Sequence, residues 1–143
     1  MAIKQLTVFV QNHKGALLEV ANLLADNGVD MRALSIADTP DFGILRLIVN
    51  DTETATRVLT VRGFLVQTTD VIAVKISDAP GKLAAALHAL NSADVAVEYV
   101  YAFLARTPRH AYVVLRVQDN DIASRALEEA GFHMVEDADI KKL

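Results

Sequence analysis

The loop Asn12-His13-Lys14-Gly15 brings an amide, an imidazole, an ammonium and a glycine together between two patterned segments. Alternating apolar residues precede it and helical spacing follows it, so the loop joins a strand to a helix. The first turn of a helix presents N–H groups without intrahelical partners, at the positive end of the helix dipole. Such a junction favours a carboxylate, and Asn12 suits a carboxylate and an ammonium together.

Two simpler interpretations of this loop remain open. A glycine at a helix start often serves only the backbone conformation, although it also lets a ligand approach the backbone closely. An asparagine before a helix often caps it. The candidate ligand-binding residues of this loop are Asn12, His13, Lys14, Gly15, Ala16 and Leu17.

The sequence contains an internal duplication. A Gly-x-Leu core recurs 66 residues later, from Gly15 to Gly81, and Val29 matches Val95 at the same offset. Later landmarks recur 68 residues apart, which places a two-residue insertion between Val97 and Thr107. These later pairs are Thr39-Pro40 with Thr107-Pro108, Asp51 with Asp119, and Gly63-Phe64 with Gly131-Phe132. One insertion with matching landmarks on both sides indicates two related units.

The second copy of the loop is a weaker candidate site. Asp78 would repel a carboxylate, and Pro80 removes a backbone donor. We therefore expect the two loops to be inequivalent. The candidate residues of this loop are Asp78, Ala79, Gly81, Lys82 and Leu83.

Each half predicts the order βαββαβ, which is that of a ferredoxin-like split βαβ unit. The predicted fold is α+β, with two such units side by side and antiparallel sheets that carry helices on one face. We expect domains at 1–69 and 71–140, with Thr69-Asp70 as the linker. The predicted strands are Leu6–Val10, Met31–Ala37, Gly43–Val49, Phe64–Thr68, Val71–Ser77, Val95–Leu104, His110–Gln118 and Phe132–Val135.

These motifs resemble the ACT domain. The resemblance lies in Val8-Phe9-Val10-Gln11-Asn12-His13-Lys14-Gly15-Ala16-Leu17, then Gly28-Val29-Asp30-Met31, and in a plainer second copy, Val74-Lys75-Ile76-Ser77-Asp78-Ala79-Pro80-Gly81-Lys82-Leu83. It covers nearly the whole chain. The resemblance implies a protein that binds a free amino acid or another small metabolite and regulates an enzyme.

The resemblance also implies where the ligand lies. In ACT pairs the second strands of neighbouring units often meet in a continuous eight-stranded sheet, with ligands at that seam. Here the seam would join Met31–Ala37 to Val97–Phe103. The residues lining the ligand side chain would be Met31, Ala33, Val97 and Tyr99, which are mostly apolar and favour an apolar or aromatic amino acid. Plain sheet core is the alternative role for these residues.

The strand around Tyr99 is apolar on both faces, which suggests that both faces are covered. Helices cover only one face of each sheet. We therefore expect a homodimer that stacks the other faces together.

Several functional classes are disfavoured. The chain has no cysteine, and its four histidines lack metal-ligand spacing, so we expect no metal site. It has no phosphate-binding loop, dinucleotide fingerprint or nucleophile elbow, so we expect no cofactor and no catalytic centre. A net charge of −4 disfavours nucleic acid. No apolar run is long enough for a membrane helix and no signal peptide is visible, so we expect a cytoplasmic protein.

The favoured function is a stand-alone amino-acid sensor without catalytic activity. A regulatory small subunit of an amino-acid metabolic enzyme, of the acetolactate-synthase or glycine-cleavage type, is the nearest alternative. A small ferredoxin-like enzyme is the third, with His13 as its acid–base residue. If Gly15 contacts a ligand, a valine there is expected to block binding and leave the fold intact.

Overall fold

The computed structural model describes residues 2–105 and 107–143, and the predicted order of strands and helices occurs in it twice. The strands are β1 (Ile3–Gln11), β2 (Met31–Asp38), β3 (Phe42–Val49), β4 (Leu65–Ser77), β5 (Val97–Ala102), β6 (His110–Val117) and β7 (His133–Met134). The helices are α1 (Ala16–Asp26), α2 (Thr52–Val61), α3 (Lys82–Ser92), α4 (Asn120–Glu129) and α5 (Asp137–Ile140). The chain divides into a first unit, Lys4–Thr69, and a second unit, Asp70–Leu143 with the start of the chain.

The two units have the same strand order. In the first unit the order is β2-β3-β1-β4, and in the second it is β5-β6-β4-β7. The pairs β1–β3, β2–β3, β4–β6, β4–β7 and β5–β6 are antiparallel. This order confirms the predicted α+β fold of two ferredoxin-like units.

Helices pack on one face of each sheet because their apolar residues recur at helical spacing. In α1 the buried positions are Ala16, Val20 and Leu24, and they join the core of the first unit. In α3 the buried residues Ala86 and Leu90 lie 66 residues after Val20 and Leu24. The duplication thus preserves the core contacts of the first helix in each unit.

The second helix of each half begins at an aspartate. The carboxylate of Asp51 accepts a hydrogen bond from the Thr54 N–H at 3.1 Å. The carboxylate of Asp119 accepts from the N–H groups of Asp121 and Ile122, at 3.1 and 3.0 Å. Each aspartate satisfies amides that the helix leaves without a partner, so these landmarks of the duplication are helix caps.

The structure differs from the sequence prediction at two points. Thr69 and Asp70, which were expected to form a linker, lie inside the continuous strand β4. Their local pattern resembles a loop because both are polar, but a polar strand segment shows the same composition. The chain also has a short helix after β7, α5, in which the Glu136 N–H donates to the Asp139 carboxylate at 2.9 Å and Ile140 is buried. Four residues are too few for a periodic signal.

A β-bulge interrupts the second strand of each unit. Met31 lies opposite Val49 and Ala33 lies opposite Ile48, so Arg32 has no place in the regular pairing. The register shifts in the same way between Val97 and Tyr99. Because one inserted residue reverses the alternation of faces, Met31 and Ala33 point to opposite sides of the sheet.

The face away from the helices is also largely buried. Ala33 and Ile48 are buried on this face in the first unit, and Ala73 and Val114 are buried on it in the second. No helix in residues 2–105 and 107–143 is long and apolar enough to cross a membrane.

Asp94 adopts a left-handed backbone conformation, and the equivalent position in the first unit is a glycine. Its φ angle is 60°, whereas the equivalent residue after α1 is Gly28, with φ of 70°. We expect Asp94→Gly to raise the free energy of unfolding by about 1 kcal/mol, because glycine adopts the left-handed region without steric cost. Urea denaturation measures this change. Gly28→Ala is the matched control and should lower the stability. A destabilised Asp94→Gly protein would show that the Asp94 side chain stabilises this turn.

Candidate functional site

The loop between β1 and α1 is closed by its own backbone. Gly15 has a φ angle of 87° and a ψ angle of −5°, in the left-handed region. The His13 N–H donates to the Gln11 carbonyl at 2.9 Å, and the Ala16 N–H donates to the His13 carbonyl at 3.2 Å. The Glu19 N–H then begins the helix by donating to the Gly15 carbonyl at 3.0 Å. The loop is therefore a defined turn in which glycine supplies a conformation that other residues rarely adopt.

The first turn of α1 leaves backbone donors available. No side chain caps the helix. Within the described parts of the chain, the N–H groups of Leu17 and Leu18 have no acceptor. The side chains of these residues are 42% and 63% exposed. A helix N-terminus with available donors next to exposed apolar side chains suits an anionic group attached to an apolar one.

Asn12 does not cap the helix. Its Nδ2 donates to Oδ1 of Asp38 at 3.0 Å. Asp38 lies opposite Gly43 in the β2–β3 pairing, and Gly43 lies opposite Val10 in the β1–β3 pairing. This register brings the end of β2 beside the loop, so the loop region contains a carboxylate as well as amide donors.

Sequence reasoning missed Asp38 as a site residue. Its neighbourhood depends on the pairing of three strands, and local spacing does not specify that pairing. The only sequence signal was its position at the end of a predicted strand before the Thr39-Pro40 turn. That position places Asp38 at one end of its sheet.

His13 is oriented by a backbone carbonyl. Its Nδ1 lies 3.0 Å from the Lys14 carbonyl oxygen. Since a carbonyl only accepts, Nδ1 is the donor in this contact. The side chain is exposed and no carboxylate holds it in this contact, so the arrangement differs from that of a catalytic base with an acidic orienting group.

The second loop, between β4 and α3, repeats this backbone. Gly81 has a φ angle of 84°. The Ala79 N–H donates to the Ser77 carbonyl at 2.9 Å, and the Lys82 N–H donates to the Ala79 carbonyl at 3.3 Å. At the position equivalent to Asn12, the backbone N–H of Asp78 donates to the Arg109 carbonyl at 2.8 Å. The two loops share a backbone and differ in side-chain chemistry.

The four residues predicted to line the ligand side chain do not share one face. Met31 and Val97 pack against the cores beneath the helices. Ala33 and Tyr99, beyond the bulges, lie opposite Ile48 and Arg116 on the other face. The Tyr99 ring stacks on the Tyr101 ring with centroids 6.4 Å apart.

The remaining predicted residues stay near their loops. Ala16 is buried beneath the first loop. The exposed members of the two loops are Asn12, His13, Lys14, Gly15, Leu17, Asp78, Ala79, Gly81, Lys82 and Leu83. Among the residues described, no three histidine, aspartate or glutamate side chains are grouped so that they could hold a metal ion.

Comparison with known proteins identifies the family. The family model for an ACT domain pair matches residues 1–143. The chain belongs to the ACT domain pair family. The resemblance inferred from the two loops is therefore confirmed over the whole sequence.

Solved structures share this fold. The protein BT0572 from Bacteroides thetaiotaomicron is 37% identical, and the alignment covers 100% of this chain and 98% of that one, with a TM-score of 0.93. The ligand-free regulatory subunit of aspartate kinase from Thermus thermophilus is 18% identical, with 90% and 91% of the chains covered and a TM-score of 0.68. The regulatory subunit from Thermus flavus is 17% identical, with 89% and 91% covered and a TM-score of 0.61. No curated protein matches the sequence.

The backbone of Gly15 corrects the expectation that a valine leaves the fold intact. A Cβ atom there would meet nothing within 4 Å, but the φ angle of 87° is strained for any other residue. We expect Gly15→Val to lower the free energy of unfolding by about 1–3 kcal/mol, and Gly15→Asn to lower it less, because asparagine tolerates this region. Urea denaturation of both variants tests this order. Equal stability of Gly15→Val and the unaltered protein would contradict the conformational role.

Proposed function

We propose that this ACT domain pair is a non-catalytic regulatory protein that binds a free amino acid at the β1–α1 loop of its first unit. The observation that supports this proposal most directly is the pairing of opposite chemistries in one loop region. Backbone donors of Leu17 and Leu18 point from the helix start, and Asp38 lies within hydrogen-bond distance of Asn12.

A zwitterionic ligand matches both groups. Its carboxylate would accept hydrogen bonds from the N–H groups of Leu17 and Leu18, at the positive end of the α1 dipole. Its ammonium would pair with the Asp38 carboxylate, which Asn12 holds in place. A simple carboxylic acid would leave Asp38 without a cation, so an amino acid is preferred to it.

The exposed apolar groups favour an apolar amino acid. Leu17 and Leu18 are 42% and 63% exposed beside the proposed carboxylate site. Covering them with a ligand side chain would remove apolar surface from water.

The second loop lacks this pairing of chemistries. Asp78 stands in place of Asn12 and puts a negative charge at the helix start, where the first loop has an amide. We therefore propose that the principal amino-acid site of the chain lies in the first unit. Asp78, Ala79, Gly81, Lys82 and Leu83 remain candidates for a weaker site.

We further propose a homodimer that forms through strand edges and brings ACT units of two chains together at the ligand loop. The edge strands β2 and β5 carry exposed apolar residues, Ile36 at 48% and Val100 at 40% exposure. An exposed apolar edge readily pairs with another strand. Contact with a second copy would cover these side chains and complete the seam that the family resemblance implies.

The regulated target would be a metabolic enzyme in the cytoplasm. The fold is shared with regulatory subunits of aspartate kinase from two Thermus species. By analogy, we propose that amino-acid binding changes the affinity of this chain for a partner enzyme. A subunit of this kind needs no catalytic residues of its own.

Amino-acid binding is tested by a thermal-shift screen of the purified protein against the twenty amino acids. A ligand at 100 times its dissociation constant should stabilise the native state by about 2.7 kcal/mol. For the ligand found, calorimetry should show affinity about tenfold weaker in Asp38→Asn, because a charge-assisted contact to the ammonium is lost. Asp41→Asn, an exposed change in the adjacent turn, is the charge-matched control. The proposal fails if no amino acid binds, or if both variants weaken binding equally.

The homodimer is tested by light scattering after size exclusion. The unaltered chain should elute with twice the monomer mass, and Ile36→Glu should shift it to monomer because a charge on a strand edge opposes pairing. Val61→Glu is the matched control, since Val61 is 79% exposed on α2 and away from the edge strands. A monomeric unaltered chain, or dissociation by both variants alike, would contradict pairing through β2.

A further inference from the structure

A cavity lies in the second unit, beside its helix α3. Its volume is about 600 Å³. It is bounded by α3, the end of β4 and the segment that joins α4 to β7. The residues that line it are Lys75, Ser77, Lys82, Ala85, His88, Ala89, His110, Ala130, Gly131, Phe132 and His133. We call this cavity the basic groove.

The ionisable residues of the basic groove are all bases. Two lysines and three of the four histidines of the chain line it, and no aspartate or glutamate does. Within residues 2–105 and 107–143, no ion pair neutralises these five side chains. The basic residues are Lys75, Lys82, His88, His110 and His133. Such a cluster favours an anion.

The backbone of β4 adds one donor to the basic groove. The Val135 N–H donates to the Ala73 carbonyl, and the Asp78 N–H donates to the Arg109 carbonyl beside β6. Since backbone groups alternate sides along a strand, residues 73, 75 and 77 face the β7 side. The pairing of β4 with β7 ends at Lys75, which lies opposite His133. Ser77 comes after this point, so its N–H faces the basic groove instead of β7.

The first unit gives an internal comparison. A smaller cavity of about 340 Å³ in the first unit overlaps the equivalent region in part and is lined by Gly15, Leu18, Glu19, Asn22, Leu23, Asp26 and Arg62. The five basic positions of the second unit correspond, at the offsets of the duplication, to Phe9, Ala16, Asn22, Phe42 and Leu65, none of which is basic. The second unit thus has a concentration of basic side chains that the shared fold does not require.

We propose that the basic groove binds a small molecule that carries a phosphate group. A phosphate has up to two negative charges and several acceptor oxygens, so it can use several lysine, imidazole, hydroxyl and backbone donors at once. A single carboxylate has too few acceptors for this set. The cavity volume lies within the range of small-molecule sites, and Phe132, Ala85 and Ala89 provide an apolar surface for the rest of the ligand.

Acidic groups near the basic groove do not enter it. Glu128 and Glu129 precede Ala130 at the end of α4 but do not line the cavity. Asp139 lines a neighbouring cavity with Lys75 and His133, and its carboxylate accepts the Glu136 N–H. The basic groove is also separate from the β1–α1 loop of the first unit, so this proposal does not rest on the amino-acid site.

Titration calorimetry at low ionic strength tests the proposal with pyrophosphate and adenosine monophosphate as probes. At least one should bind, and the affinity should fall by about tenfold or more in the double variant Lys75→Gln/Lys82→Gln, which loses two charged donors. The control is Arg57→Gln/Arg125→Gln, which removes the same charge from exposed positions outside the basic groove. The control should bind as the unaltered chain does.

Two other measurements keep the test decisive if the double variant fails to fold. In amide NMR spectra of the unaltered chain, the probe should shift resonances of Ser77, His88 and His133. His88→Asn, which installs the residue of the first unit, should weaken binding. The proposal is overturned if neither probe binds, if the shifts fall elsewhere, if both double variants lose affinity alike, or if glutamate binds as tightly as the phosphate probes.

Discussion

A left-handed glycine between strand and helix fixes the direction in which the first helix of each unit leaves its sheet. Gly15 and Gly81 have nearly the same angles, φ of 87° and 84° with ψ of −5° and −3°. The three backbone hydrogen bonds of the first loop also have equivalents in the second loop. This exit direction lays α1 across its sheet with Val20 and Leu24 buried, and it leaves the donors at the helix start facing outward. Core packing and the candidate ligand site depend on the same turn.

Sequence patterns predicted what is local in this fold. Alternation located strands, helical spacing located α1, and the duplication showed that the order of elements occurs twice. The bulges at Arg32 and Glu98 were not predicted, because one additional residue leaves the composition of a strand unchanged. The consequence was substantial, since Met31 and Ala33 were assigned to one lining surface and lie on opposite faces.

The candidate site could be predicted only in part for a related reason. The loop Asn12–Leu17 is contiguous, so its residues could be recognised together. Asp38 reaches Asn12 through the register of β1, β3 and β2, and no local pattern encodes that register. The basic groove is still less visible, because its five bases come from two helix positions and three strands spread over residues 75–133. Only the fold shows that Lys75 and His133 are neighbours.

Comparison of the two units distinguishes the residues that the shared fold requires from the residues that are particular to one unit. The equivalent positions Leu24 and Leu90 are buried and apolar in both copies, because a polar group there would be costly. Exposed positions change freely, since such substitutions alter stability little. If exposed residues were substituted without constraint, basic residues would be spread over the surface among the 18 acidic residues of the chain, whose net charge is −4. Lys75 and Lys82 line the same cavity, so an anion bound there would interact favourably with both charges. An anion that binds there would stabilise the second unit, and this coupling would make its stability depend on the ligand concentration.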